Sequence, residues 1–155
     1  MSELFTGTHD HRIDGKGRVS LPSDFRRVLN AVNSADSLYI VPTLNNRQAH
    51  VLLPLDAYAS MIKRHNTREY ETTRERDRAA LKLIHRARKI QVDDTGRIVI
   101  PQSLREKIGL SGEVVFVGDE STFQIWPPAA RAEYEIEMDP ESADDPMDFD
   151  LRGLS

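Results

Sequence analysis

Two short stretches carry the side chains best placed to do chemistry. Residues 12–18 read "RIDGKGR" and residues 91–97 read "QVDDTGR". Both contain Asp-x-x-Gly-Arg, once at Asp14, Gly17 and Arg18 and again at Asp93, Gly96 and Arg97. An aspartate heading a turn accepts backbone N–H groups, and a glycine takes positive φ at little cost. The arginine that follows offers a fork of donors that fits a carboxylate, a phosphate or a guanine edge. One economical reading covers both copies: the aspartate fixes the turn and the arginine folds back on it as a local ion pair. Charge nevertheless separates them. Residues 11–18 hold Arg12, Lys16 and Arg18 against Asp14, a net of +2, whereas residues 90–97 hold Arg97 against Asp93 and Asp94, a net of −1. Nucleic acid demands cations at its phosphates, so the first turn suits it and the second does not.

Other chemistry finds little support. His9 and His11 in "HDH" share one face of a strand, but no third metal ligand accompanies them, and His50, His65 and His85 are scattered. Ser20 and Ser23 have no evident His/Asp partners for nucleophilic catalysis, and no glycine-rich phosphate loop is present. The chain has no cysteine, which excludes a disulfide framework, a thiolate nucleophile and cysteine metal sites. These features predict a protein that is not an enzyme, with no cofactor, no metal and no small-molecule substrate. No apolar run approaches the roughly eighteen residues that cross a bilayer. A cytoplasmic protein without a membrane partner is the expectation.

What must position the two turns is itself repeated. Sliding the chain by 79 residues aligns Asp14 with Asp93, Gly17 with Gly96, Arg18 with Arg97, Leu21 with Ile100, Pro22 with Pro101, Phe25 with Leu104 and Arg26 with Arg105. Self-similarity at one offset sets architecture before any local reading. In each copy a short strand ("HRID", "KIQVD") leads into the turn, and a β-branched strand ("RVSLP", "RIVIP") leaves it and stops at proline. A helix follows, with Ser23 or Asp24 and Gln102 or Ser103 near its N-cap and with Phe25, Val28 and Leu29, or Leu104, Ile108 and Leu110, on its apolar face. A hairpin closes each half, turning at Asn45-Asn46 in one and at Gly118-Asp119-Glu120 in the other. Such a unit has too little apolar surface to stand alone, so two units interleaved into one barrel would bury each other's edges.

The intervening residues 55–89 read as helical, with Leu55, Tyr58 and Ile62 on one face and Ala80, Leu81, Ile84 and Ala87 on another. Residues 61–89 hold ten Lys/Arg against four Asp/Glu, which fits a solvated face, phosphate contacts, or pairing of Lys63 and Arg64 with a neighbouring subunit. Charge is segregated along the chain. Residues 133–155 carry nine acids and one arginine, leaving 20 basic and 16 acidic side chains in the rest, a net of +4 beneath the overall −4. An acidic, proline-containing tail of this kind is expected to stay solvated and disordered. It either aids solubility or competes with nucleic acid for the basic body.

With the duplicated motif in hand, the chain resembles the MraZ family of bacterial transcriptional regulators across residues 5–130. The resemblance runs through Phe5-Thr6-Gly7, "DGKGRVSLP", "FR", the helical middle, "DDTGRIVIP" and "IWPP". Met1–Leu4 and the acidic tail depart from the family pattern. The resemblance implies an α+β, β-rich fold of the AbrB/SpoVT type: tandem AbrB-like halves forming an intramolecular swapped-hairpin β-barrel pseudo-dimer with flanking helices. The halves are expected at residues 1–54 and 90–132, with a helical linker at 55–89 packing on the barrel and the acidic tail at 133–155. The implied function is sequence-specific binding of double-stranded DNA by a nucleoid-associated homo-oligomer, a ring. It would act, usually as a repressor, on direct repeats upstream of the cell-division and cell-wall gene cluster, its own gene included. On the charge argument, Arg18 is expected to reach base edges while Arg12 and Lys16 hold the DNA backbone. Asp14, Gly17, Asp93, Gly96 and Arg97 are expected to shape the loops. The rival reading is an AbrB-type antitoxin that neutralises a partner through its acidic tail.

Overall fold

The computed structural model describes residues 4–43 and 48–141. The first half runs β1 (Thr8–Arg12), β2 (Arg18–Ser20), α1 (Ser23–Ala31), β3 (Ser37–Pro42) and β4 (His50–Leu53). The second repeats the order as β5 (Arg88–Gln91), β6 (Arg97–Val99), α4 (Gln102–Ile108), β7 (Glu113–Asp119) and β8 (Thr122–Trp126). Between them lie α2 (Leu55–Thr67), α3 (Thr73–Ala80) and a π-helical turn at Leu81–His85, and α5 (Pro128–Met138) follows β8.

The expected α+β, β-rich fold of two interlocked halves is what the structure shows. Strand β1 of the first half pairs with β7 of the second, and β5 of the second pairs with β3 of the first. The hairpins β3–β4 and β7–β8 join through β4 and β8. The resulting order, β1-β7-β8-β4-β3-β5, reads the same when the halves are exchanged. The two turns are joined by a separate antiparallel ladder, β2–β6, in which Val19 faces Ile98. Hydrogen bonding therefore gives an open six-stranded sheet and a two-stranded ladder, not one continuous barrel. Each half lends the other a strand that covers the outer edge of its hairpin, β1 on β7 and β5 on β3, which leaves only β1 and β5 as edges of the six-stranded sheet.

One core serves both halves. Val19, Leu21, Phe25 and Leu38 from the first and Ile98, Ile100, Phe116 and Phe123 from the second belong to a single buried cluster. Phe25 touches Phe5 and Phe123 at centroid distances of 5.3 and 4.9 Å. Each such side chain, fully buried, contributes on the order of 1.5–3 kcal/mol.

Four local expectations change. The helices α1 and α4 are entered from Pro22 and Pro101 as N-caps, not from the polar residues after them, and no side chain caps either helix. The carbonyls of Pro22 and Pro101 accept the first helical bonds from Arg26 and Arg105, while Asp24 pairs with Arg27 at 3.1 Å. The β7–β8 turn sits at Glu120-Ser121, because Gly118 and Asp119 are still paired in the ladder with Phe123 and Thr122. The other expected turn, Asn45-Asn46, lies outside the described residues.

In its second segment the linker buries a different face from the one its periodicity suggested, whereas in α2 the expected Tyr58 and Ile62 are half-buried on the side that His65 continues. Leu55, Leu81 and Ile84 are exposed, whereas His65, Ala79, Lys82 and Leu83 are buried. Leu55 is exposed at the first position of α2, and in the second segment the π-helical turn shifts the helical phase. Tyr58 then stacks on Tyr39 at 4.3 Å, and its hydroxyl donates to the Leu83 carbonyl. Finally, the stretch read as a solvated tail from residue 133 begins as helix. Tyr134 of α5 packs on Trp126 at 5.0 Å, and Arg131 lies over both rings. Residues 142–155, the rest of that tail, lie outside the described residues.

Candidate nucleic-acid interface

Both Asp-x-x-Gly-Arg turns are built alike. Asp14 Oδ1 accepts the N–H groups of Lys16 and Arg18, each at 2.9 Å, and Asp14 Oδ2 accepts Arg18 Nε at 2.6 Å. Asp93 Oδ1 accepts from the Thr95 and Arg97 N–H groups at 2.9 Å and from the Thr95 hydroxyl at 2.7 Å, and Oδ2 accepts Arg97 Nε at 3.1 Å. The carboxylates hold these donors only while ionised. The backbone N–H groups, led by those of Arg18 and Arg97, therefore hold Asp14 down at about 2 and Asp93 far below the usual carboxylate range.

Each turn is closed from the opposite half. Gly17 sits at φ 86° and Gly96 at φ 80°, a conformation glycine tolerates without strain. The Ile100 N–H bonds the Gly17 carbonyl at 2.8 Å, and the Leu21 N–H bonds the Gly96 carbonyl at 2.9 Å. A Cβ on Gly17 would collide with the Ile100 carbonyl and crowd Arg105, and one on Gly96 would collide with Arg26. Arg105 also donates Nη1 to the Gly15 carbonyl at 3.2 Å. Arg26 and Arg105 thus brace the turns reciprocally. The sequence signalled them only as one more aligned pair in the repeat, since spacing within a half does not reveal a contact made by the other half.

The ladder decides which way the arginines face. Val19 and Ile98, the central pair, point inward at 2% and 0% exposure. Arg18 lies opposite Val99 and Arg97 opposite Ser20, so both arginines stand on the outer face. Their side chains are equally exposed, at 46%. A shallow groove of about 430 Å³ is lined by Arg12, Asp14, Arg18, Ser20 and Arg97. Lys16 is exposed at the tip of the first turn and does not line that groove. Geometry alone does not distinguish the two turns; the charges of Lys16 and Asp94 do.

The histidine pair of "HDH" is occupied otherwise. His9 packs edge-on against Phe25 at 5.0 Å and His11 against Phe116 at 5.5 Å. Burial lowers the His11 pKa. Among the described residues, no group of three His, Cys, Asp or Glu is placed to hold a metal ion. No helix among them is long and apolar enough to cross a membrane.

Comparison with known proteins agrees with this architecture. A family model described as "MraZ protein, putative antitoxin-like" matches residues 4–33 and 83–150, the two repeat regions without most of the linker. The chain is 34% identical over 165 residues to the transcriptional regulator MraZ of Ruegeria sp. (strain TM1040), covering 97% of this chain and 93% of that protein. It is 36% identical over 128 residues to the protein of that name from Gluconacetobacter diazotrophicus, covering 82% and 80% of the two chains. It is also 36% identical over 133 residues to the one from Parvibaculum lavamentivorans, covering 86% and 81%.

Proposed function

The chain belongs to the MraZ family, and from that premise we propose that it is a transcriptional regulator that binds double-stranded DNA through the first Asp-x-x-Gly-Arg turn. The observation that carries this reading is the exposed cationic cluster beside a rigid turn. Arg12 and Arg18 flank one groove, Lys16 sits at the tip, and the aspartate holds Arg18 through Nε. Among the described residues the Arg18 Nη groups have no bonded partner. A guanidinium fixed at Nε and open at both Nη atoms is set to fork onto the O6 and N7 of a guanine. Arg12 and Lys16 then neutralise phosphates on either side and set the register.

The second turn, with Asp93 and Asp94 around Arg97, repels phosphate and serves the fold. Gel shifts with DNA from upstream of the protein's own gene, at stated salt, test the assignment. Arg18→Ala is expected to abolish the specific shift, and Arg97→Ala to leave affinity within a few-fold of the parent. Equal loss in both variants would mean that both turns read DNA.

One turn per subunit gives less contact than a specific site normally buries. The reading is therefore completed by a ring of subunits in the cytoplasm, associated with the nucleoid. The ring engages direct repeats upstream of the cell-division and cell-wall cluster and represses it. The family model's antitoxin-like description and the acidic C-terminal stretch support a second reading, neutralisation of a partner protein. A small protein that co-purifies in fixed ratio would favour that one.

A further inference from the structure

Away from the turns, positive charge collects around a second cavity. It has a volume of about 350 Å³ and is lined by His85 and Arg86 at the end of the π-helical turn, by Arg88 of β5, by Ser103 and Lys107 of α4, and by His50 of β4, with no carboxylate on its wall among the described residues. Among the described residues, none of Arg86, Arg88 and Lys107 takes part in an ion pair. His50 is pushed down to about 4, first by burial and then by the nearby Lys107 charge. It is therefore neutral at pH 7 and supplies wall, not charge.

Three like charges around one opening repel each other, and the fold does not need them there. The other half shows this. Seventy-nine residues earlier, the positions of Arg86, Arg88 and Lys107 are held by Gly7, His9 and Val28, and that of Ser103 by Asp24. The strand and helix of the repeat are thus built in the first half without cations at those positions, although Gly7 has positive φ and Val28 is buried where Arg86 has negative φ and Lys107 is exposed. A bound anion offsets such a cluster, and two guanidinium groups, an ammonium and a hydroxyl are the donor types from which phosphate oxygens accept. The volume exceeds what inorganic phosphate alone requires and lies within the range of small-ligand pockets.

We infer that the cavity bounded by Arg86, Arg88, Ser103 and Lys107 is a phosphate-binding site distinct from the groove at the Asp-x-x-Gly-Arg turns. The phosphate belongs either to a small phosphorylated molecule or to the DNA backbone. Titration of the full-length protein with inorganic pyrophosphate at low salt, followed by amide NMR, tests this. Saturable shifts are expected at Ala87, Arg88, Ser103 and Leu104, with affinity at least tenfold weaker in Arg86→Gln/Lys107→Gln. Both substituted side chains are exposed; should the pair unfold the protein, Arg88→Gln alone gives the same readout.

Salt titration of DNA binding separates the sources. If the backbone fills the site, the double variant lowers the slope of log affinity against log salt by about 2. If a small phosphorylated molecule fills it, that slope is unchanged while pyrophosphate binding is lost. Shifts that never saturate, or that are equal in parent and variant, overturn the inference. So does a variant that alters only particle size, which would assign the cavity to carboxylates of a second copy. Because Arg18→Ala leaves this cavity intact, retained pyrophosphate binding in that variant keeps this test separate from that of the DNA-reading turn.

Discussion

A single side chain decides most at the two glycines and at His50. Gly17 combines positive φ with backbone contact from the opposite half, so adding a methyl strains the turn and displaces the Ile100–Gly17 hydrogen bond. Gly17→Ala is expected to cost about 1–3 kcal/mol and to weaken DNA binding, because the same turn aims Arg18. Gly15→Ala, whose Cβ meets nothing within 4 Å, is the matched control and should leave thermal stability and gel shift unchanged. His50 predicts a pH effect. Its imidazole titrates near 6.5 when unfolded and at about 4 when folded. Between those values the unfolded chain binds the extra proton, so stability is complete above pH 6.5 and falls as pH drops toward 4. The fall is on the order of 3 kcal/mol, and melting curves of His50→Gln should show it flattened. Asp14, held at about 2, adds a loss only below the ordinary carboxylate range near 3.8.

Among the elements, the short β2–β6 ladder matters beyond its length. Its inward pair joins the halves through the core, and its outward face presents the arginines. Ile98 is wholly buried in that seam. Ile98→Ala is expected to cost about 2–5 kcal/mol, read as a lower denaturant midpoint for the whole domain with unchanged cooperativity. Two separated transitions would contradict a shared core. Element types were legible in the sequence because the turn chemistry is local: aspartate, glycine and proline mark the same boundaries in each copy. The linker's buried face was not legible, because a π-helical turn changes the phase that helical periodicity assumes. For the same reason Lys82, polar by type, is buried where Leu81 and Ile84 are not, while His65 of α2, ahead of that turn, is buried against Tyr70.

For the molecule as a whole, the exchange of edge strands makes one domain from two half-folds, and the proposed function asks more than one copy of that domain to act together. A single turn on a single repeat leaves little buried area, while linked sites raise effective concentration steeply. Affinity for one isolated repeat is expected to be at least a hundredfold weaker than for an array of three or four at equal salt, measured by fluorescence anisotropy. Equal affinity for one repeat and an array would remove the need for a ring.

The residues alone establish the duplication, the paired turns and the charge contrast between Lys16 and Asp94, and offer the local ion pairs as one reading that the structure then shows. Each depends on residues only a few positions apart, whose bonding is set by short-range geometry. Only the tertiary structure decided that Arg105 braces the first turn and Arg26 the second, and that Arg12, Arg18 and Arg97 meet at one groove. It alone gathered Arg86, Arg88 and Lys107 around a cavity. Those contacts join residues from opposite halves or from separate elements. Their cause is the reciprocal strand pairing, which brings distant segments together in a register that no local spacing encodes.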